Sequence, residues 1–157
     1  MDQKLASGLG ELLRYVSELV EHGAEEHYKI MGINYRARYT PVLRAIQAGA
    51  RTVTQITSLT HVTQGAISQA VGQMEKDGLL YRTQMQDGRK SILHLTSQGE
   101  LLLERLTHHW KVTFTTIDEL ESELGYPVRL ILTDMAMALE RKSFAERLLQ
   151  NKVNSRL

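Results

Sequence analysis

Residues 52–99 read TVTQITSLTHVTQGAISQAVGQMEKDGLLYRTQMQDGRKSILHLTSQG, and their pattern decides the fold. Thr52 and Thr63 are suited to cap the N-terminus of a helix, and each precedes apolar residues at helical spacing. The first helix is short, whereas the second extends from Gln64 to about Lys76, where Asp77-Gly78 closes it. Two short helices joined by a few residues predict a helix-turn-helix.

A β-hairpin is predicted directly after these helices. Residues 79–85 and 90–95 are rich in β-branched, aromatic and leucine residues. They flank Gln86-Asp87-Gly88-Arg89, and an Asp-Gly pair between two such runs is a strong hairpin signal. A hairpin that follows a helix-turn-helix is a wing, so residues 35–99 are predicted to form a winged helix-turn-helix lobe.

Helices are predicted before the two central ones. Apolar residues recur at three- and four-residue steps over about the first 30 residues, which predicts an amphipathic helix within an N-terminal segment, residues 1–34. A shorter helix follows, roughly from Tyr35 to Ala48. Pro41 lies inside this span, so the helix is alternatively expected to begin there, since proline suits the first turn.

Helices are also predicted after the wing, in residues 100–157. Ser97 and Glu100 have the spacing of a capping box at the start of a long helix. Gly125-Tyr126-Pro127 breaks that helix, and one final helix is predicted to carry the apolar residues from Ile131 to Leu149. The fold class is therefore mainly α with a small β-hairpin wing, in which N- and C-terminal helices flank a winged helix-turn-helix.

The terminal helices hold more apolar surface than one lobe can cover. A two-fold interface between two copies is the simplest way to bury it, and a monomer that packs these helices back on itself is the alternative. The residues on which this expectation mainly rests are Leu102, Leu106, Trp110, Phe114 and Ile117.

Charge is distributed unevenly along the chain. The 157 residues have a formal net charge of +1, yet residues 36–90 hold eight Lys or Arg and three Asp or Glu, a net charge of +5. The remainder has a net charge of −4. A basic middle between acidic ends is typical of a module that binds a polyanion.

Several classes of protein are disfavoured. No apolar run is long enough to span a bilayer, and the N-terminus does not have the pattern of a signal peptide. The absence of cysteine excludes disulfides, Cys-based zinc sites and thiol redox sensing, and is compatible with the cytoplasm. No enzyme or cofactor motif is present. His22 and Glu26 form an i, i+4 pair with His27 adjacent, so a metal site assembled between helices is an alternative, but the six histidines are interpreted as exposed helical or isolated residues.

The helix that begins after Thr63 is expected to lie in the major groove of duplex DNA, because residues in the N-terminal half of such a helix reach the base edges. Its apolar stripe faces the core, and glutamine is suited to pair with adenine. Gly65 permits close approach of the helix backbone to DNA, and Gly72 has the same explanation or, equally, reflects tight packing against the hairpin. The predicted contacts from this helix are Thr63, Gln64, Gly65, Ser68, Gln69 and Gln73.

The wing supplies a second group of predicted contacts. Arg89 lies at the hairpin tip, where it is expected to enter the minor groove or bind a phosphate, and Asp87 is expected to orient it through a charge-assisted hydrogen bond. Lys90 and Arg82 are predicted to contact backbone phosphates. The alternative is that these are ordinary surface cations of a hairpin.

These stretches together resemble the MarR family of bacterial regulators, over about a third of the chain. The wing signature followed by Leu-Thr-x-x-Gly is the more specific part of the resemblance. The matching runs are Val62–Ser68, Met74–Arg82, Asp87–Ser91 and Leu95–Gly99. The resemblance implies a homodimer, held by the first and last helices, that binds a pseudo-palindromic operator, and it assigns Asp87 and Arg89 to the family's acid and arginine at the wing tip. Gln69 departs from a position often filled by arginine, so the family's base preference there does not carry over.

The resemblance also implies an effector. Many members of the family release DNA when a small anionic aromatic molecule binds between the dimer core and the winged lobe. Candidate residues in that general region are Tyr35, Arg36, Arg38 and Tyr39, which alternatively only pack or contact phosphate.

The leading hypothesis is thus a dimeric, sequence-specific DNA-binding repressor that a small effector releases. The alternative is a winged helix that docks on another protein. The basic excess and Arg89 favour DNA, because a protein-docking wing more often exposes apolar residues.

Overall fold

A computed structural model describes residues 5–155, which form seven α-helices and one antiparallel hairpin. The chain divides into two compact units, of which the first ends at Glu104 and the second begins at Arg105. The elements in chain order are α1 Leu9–Ile30, α2 Thr40–Gln47, α3 Val53–Leu59, α4 Gln64–Lys76, β1 Leu80–Gln84, β2 Ser91–Leu95, α5 Ser97–Leu124, α6 Val128–Arg141 and α7 Phe144–Asn154. Helix α5 crosses the boundary between the units. This architecture confirms the predicted fold class.

The start of α2 decides between the two interpretations of residues 35–48. Residues Ala37–Tyr39 form a single 3-10 turn, and α2 begins at Thr40 with Pro41 in its first turn. The longer helix from Tyr35 is therefore wrong. Proline has no N–H, and in the second or third turn its ring would clash with the carbonyl of the residue four positions earlier, so it suits the beginning of a helix.

Threonine hydroxyls begin the two helices of the helix-turn-helix, as predicted. The Thr52 side chain accepts a hydrogen bond from the backbone N–H of Gln55 at 3.2 Å, and the Thr63 side chain accepts one from Ala66 at 3.2 Å. Helix α4 has the predicted limits. The core of the first unit contains apolar side chains from each of its helices and from the hairpin: Tyr28, Tyr39, Val42, Leu43, Ile46, Ile56, Ile67, Val71, Met74, Leu80 and Leu93.

The hairpin is joined to the helices through its backbone. Strand β1 pairs with β2 in antiparallel register from Leu80 opposite Leu95 to Gln84 opposite Ser91. The Leu93 N–H also donates to the carbonyl of Arg51 at 2.7 Å, and a Cβ at Gly99 would lie 2.0 Å from the Leu79 carbonyl oxygen. Only glycine allows this close approach of α5 to the start of the hairpin.

The first turn of α5 is capped one residue earlier than predicted. The Thr96 hydroxyl accepts from the Gly99 N–H at 3.1 Å and donates to the Gly78 carbonyl at 2.6 Å. Ser97 is the first residue of the helix, so the predicted capping box of Ser97 with Glu100 is wrong. Thr96 is favoured because its hydroxyl meets a second partner, at the end of α4, that Ser97 does not.

The final helix of the prediction is in fact two helices. Helix α6 ends at Arg141, and α7 begins after Ser143, whose hydroxyl accepts from the Glu146 N–H at 3.2 Å while the Glu146 carboxylate accepts from the Ser143 N–H at 2.7 Å. This is a complete capping box. It interrupts the helix although the apolar residues continue across the break.

The corner between α5 and α6 is held by an arginine. Gly125 has a φ of +77°, and the Arg129 guanidinium donates to Glu121 and to Asp118. The backbone N–H of Arg129 also donates to Glu121 at 2.7 Å, so this carboxylate caps the start of α6. These hydrogen bonds from Arg129 lower the pKa of Glu121 to about 2.

The exposed apolar surface lies mostly on α1, α6 and α7, and less on the α5 residues from which it was mainly predicted. Leu102, Leu106 and Trp110 are buried, and only Phe114 of the five residues named above, at 38%, is classed as exposed. Helices α6 and α7 bury no residue, and α1 buries Tyr28 alone. Within the described residues, no helix combines the length and the apolar character needed to cross a membrane.

The capping box at α7 gives a test of this unit. Replacing Ser143 by Ala removes the acceptor for the Glu146 N–H, which typically costs about 1 kcal/mol. We expect Ser143→Ala to lower the midpoint of chemical unfolding, measured by circular dichroism. The control is Ser122→Ala, because the Ser122 hydroxyl donates only to the carbonyl of Asp118 in its own helix. Equal midpoints for both variants would contradict the assignment.

Candidate nucleic-acid interface

The first two turns of α4 present a polar surface without bulky side chains. Ile67, Ala70, Val71 and Met74 are buried, and this stripe orients the opposite face outward. The structure brings five of the predicted contact residues together on that exposed face: Thr63, Gln64, Gly65, Ser68 and Gln69. Such a surface offers hydroxyl and amide groups that suit base edges.

The two glycines of α4 have open space around them. A Cβ at Gly65 or at Gly72 would meet no atom within 4 Å. At Gly65 this leaves the helix backbone accessible, as the sequence interpretation requires. The alternative that Gly72 packs tightly against the hairpin is wrong, because no atom of the hairpin is close enough to exclude a side chain.

Gln73, the sixth residue of the predicted helix contacts, has a different environment. It is half-buried, and its Nε2 donates to Asp77 Oδ1 at 3.0 Å, one turn further along α4. The other oxygen of Asp77 accepts from the hydroxyl of Tyr39 at 2.6 Å. Hydrogen bonds from Tyr39 and Gln73 lower the pKa of Asp77. Sequence reasoning could have found the Gln73–Asp77 pair from its i, i+4 spacing, but Tyr39 is too distant in sequence to be recognised.

The four candidate effector residues separate into two pairs. Tyr35 and Tyr39 are buried in an edge-to-face cluster with Tyr28, in which the ring centroids are 4.6 and 5.9 Å apart, and burial raises the pKa of Tyr35 and of Tyr39. The Tyr35 hydroxyl is 2.7 Å from the Thr40 hydroxyl. Arg36 and Arg38 are exposed. The tyrosines therefore pack, and the arginines face solvent.

One of the predicted wing cations has a partner within the lobe. The Nε atom of Arg82 donates to Glu75 of α4 at 2.5 Å, and both side chains are about one-third exposed. This ion pair ties the wing to α4. A phosphate contact by Arg82, as the sequence suggested, would compete with Glu75.

The wing tip presents two cations to solvent. The loop closes through a hydrogen bond from the Gly88 N–H to the Met85 carbonyl at 2.9 Å. Asp87 accepts from the backbone N–H of Arg89 at 3.2 Å, so it orders the backbone of the loop and not the guanidinium as predicted. Arg89 and Lys90 are both exposed.

The described residues contain no cluster of three or more Asp, Glu or His side chains that could hold a metal ion. His22 and Glu26 form an exposed pair on α1 with 3.6 Å between Nε2 and Oε1. A single pair of this kind offers too few ligands for a structural metal site.

One comparison with known proteins gives a match that covers most of the winged lobe. A family model described as the MarR family matches residues 32–90, which confirms the resemblance over that segment. A search of curated proteins gives no match.

Solved structures share the fold along most of the chain. The S. aureus MepR–DNA complex is 23% identical, covers 85% of this chain and 99% of its own, and has a TM-score of 0.64. The M. tuberculosis regulator MOSR in complex with DNA is 16% identical, with 86% and 98% covered and a TM-score of 0.69. The Streptomyces coelicolor regulator PcaV, solved with its natural ligand, is 18% identical, with 91% and 99% covered and a TM-score of 0.62.

The hydrogen bond between Tyr39 and Asp77 leads to a prediction about acid titration. Because the Tyr39 hydroxyl stabilises the ionised carboxylate, Tyr39→Phe should raise the pKa of Asp77 towards its ordinary value. A lowered pKa contributes stability that is present above the ordinary value and is lost as pH falls through the folded one. We expect a carbon-13 NMR titration of the Asp77 carboxyl to show the increase.

The control for this titration is Tyr35→Phe, which removes a hydroxyl from the same cluster without touching Asp77, since Tyr35 is bonded to Thr40. The same Asp77 midpoint in the wild type and Tyr39→Phe would contradict the prediction.

Proposed function

We propose that this protein is a regulator of transcription that binds duplex DNA in a sequence-specific manner, since residues 32–90 match a family model described as the MarR family. The proposal rests on two exposed surfaces, the polar face at the start of α4 and a wing tip with two exposed cations. The helix is suited to the major groove, and the wing is suited to a phosphate or the adjacent minor groove. Two structures of similar fold, MepR and MOSR, were solved with DNA.

The charge distribution supports DNA as the partner. The segment 36–90 has a net charge of +5, and its exposed cations include Arg36, Arg38, Arg89 and Lys90. The rival hypothesis, a wing that docks on another protein, predicts an apolar tip, whereas the tip here reads Gln86-Asp87-Gly88-Arg89. Phosphate contacts release counterions, so binding should weaken steeply as salt increases.

The partner that covers the exposed apolar helices is proposed to be a second copy of the chain. Helix α1 has 22 residues and an apolar stripe that includes Leu9, Leu13, Val16 and Val20, each at least 41% exposed. Helices α6 and α7 of the other unit are equally uncovered. Exposed apolar stripes of this kind indicate association, and a closed two-fold dimer is the commonest solution. The dimer would place two recognition helices about 34 Å apart, which matches a pseudo-palindromic operator.

We further propose that the protein represses transcription and that binding of a small anionic aromatic effector relieves this repression. Arg36 and Arg38 are exposed beside the buried tyrosines, so they offer positive charge at the edge of an aromatic cluster. A structure of similar fold, PcaV, was solved with a natural ligand. No cofactor or catalytic activity is part of this proposal.

The DNA-binding proposal is tested by capturing genomic fragments on the protein and measuring affinity for the best fragment over a range of salt concentrations. We expect Arg89→Ala to weaken binding and to reduce the slope of log affinity against log salt by about one. The control is Arg141→Ala, which removes the same charge from the end of α6, outside the basic segment. Failure of the wild type to bind any fragment in a salt-dependent manner would refute DNA binding, and unchanged affinity in Arg89→Ala would refute the wing contact alone.

The dimer is tested by analytical ultracentrifugation at micromolar concentration. We expect the wild type to have twice the 17.8 kDa mass of one chain, and Val16→Glu to sediment as a monomer because it buries a charge in the interface. The control is Ser17→Glu, which adds the same charge to the exposed neighbouring position and should remain dimeric. A monomeric wild type would refute the proposal.

A further inference from the structure

The side-chain amide of Gln73 has a nitrogen that donates hydrogen bonds and an oxygen that accepts them, and the structure gives the nitrogen a partner. Its amide nitrogen donates to Asp77 Oδ1 at 3.0 Å. The amide oxygen is bonded to the same carbon on the other side, so it is directed away from Asp77. Which end of the amide is left for another partner is therefore set by Asp77 and not by Gln73 alone.

The ionised state of Asp77 also determines the orientation of the Gln73 amide. An ionised carboxylate only accepts hydrogen bonds, so the amide must present its nitrogen and not its oxygen to Asp77. The Tyr39 hydroxyl donates to Asp77 Oδ2 at 2.6 Å, and the charges of Arg36 and Arg38 further favour the ionised form. At neutral pH a reversal of the amide would place two acceptors against each other.

The anchor of this arrangement is rigid. Tyr39 is fully buried, and its ring packs edge-to-face on Tyr35 with centroids 5.9 Å apart. Asp77 ends α4 and lies one turn from Gln73. The Asp77 carboxylate therefore accepts one hydrogen bond from outside α4, from Tyr39, and one from within α4, from Gln73.

We propose that Asp77 is a positioning residue that fixes the flip of the Gln73 amide and thereby sharpens discrimination at the base pair that Gln73 contacts. This inference rests on the proposed function, because it requires α4 to lie in the major groove. A glutamine that rotates freely satisfies either a donor or an acceptor on a base edge, by turning its amide over. A glutamine with a fixed flip presents its oxygen as an acceptor in one direction only, so a base edge that offers another acceptor in that direction is disfavoured.

The test uses an operator selected by the wild-type protein from random duplex DNA, with each base pair then changed singly. Gln73→Met identifies the base pair at which discrimination depends on the amide. At that base pair we expect the wild type to bind the wrong base about tenfold more weakly. In Asp77→Leu this penalty should fall below about threefold, while affinity for operators changed elsewhere keeps its wild-type ranking.

Tyr35→Phe is the matched control. It removes a hydroxyl from the same aromatic cluster but leaves the hydrogen bonds of Asp77 intact, since the Tyr35 hydroxyl is 2.7 Å from that of Thr40, so its base preferences should remain those of the wild type. A merely structural role of Asp77 would weaken the binding of Asp77→Leu to all operators equally. That outcome, or a full wrong-base penalty in Asp77→Leu, would overturn the inference and leave DNA binding intact. Gln73→Met with unchanged preferences would also overturn it, whereas a wild type that selects no operator overturns the proposed function itself.

A second measurement covers the case in which Asp77→Leu does not fold. In the wild-type protein, the Gln73 side-chain amide signals in a proton–nitrogen NMR spectrum should shift with protonation of Asp77, with the same midpoint as the Asp77 carboxyl. Exposed glutamine amides such as that of Gln64 serve as the internal control. Gln73 signals that do not follow Asp77 would overturn the inference without any DNA being present.

Discussion

Burial of one face of α4 is the constraint on which the rest of the lobe depends. Ile67, Ala70, Val71 and Met74 are packed away from water, and the helical period then determines which side chains point outward. The loss of any of these contacts would rotate or loosen the whole polar face, because a well-packed core tolerates little change in volume. The Thr63 hydroxyl caps the N-terminus of α4 by accepting a hydrogen bond from the Ala66 N–H, which favours a start of the helix at Gln64.

Local signals explain the parts of the fold that could be predicted. The caps at Thr52 and Thr63 and the Asp87-Gly88 pair act within a few residues, so the limits of α4 and the position of the hairpin were accessible from the sequence. The break between α6 and α7 also has a local signal, the capping box of Ser143 and Glu146, but the apolar residues on both sides of it continue at helical spacing and favoured a single helix.

Long-range contacts explain what could not be predicted at the candidate site. Tyr39 and Asp77 meet only because the 3-10 turn before α2 packs near the end of α4, and no pattern within either segment indicates that approach. The ion pair between Arg82 and Glu75 also depends on the position of β1 relative to α4. The basic residues were recognised from the sequence as a group, whereas the division between those that hold the lobe together and those that face solvent required the three-dimensional arrangement.

The hydroxyl of Thr96 has a mechanical consequence. It donates to the carbonyl that follows α4 and accepts from the first turn of α5, and the adjoining Gly99 lies against the Leu79 backbone. The end of α4, the base of the wing and the first turn of α5 are therefore linked through these adjacent residues. A displacement of the first turn of α5 would move the end of α4 and the base of the wing with it.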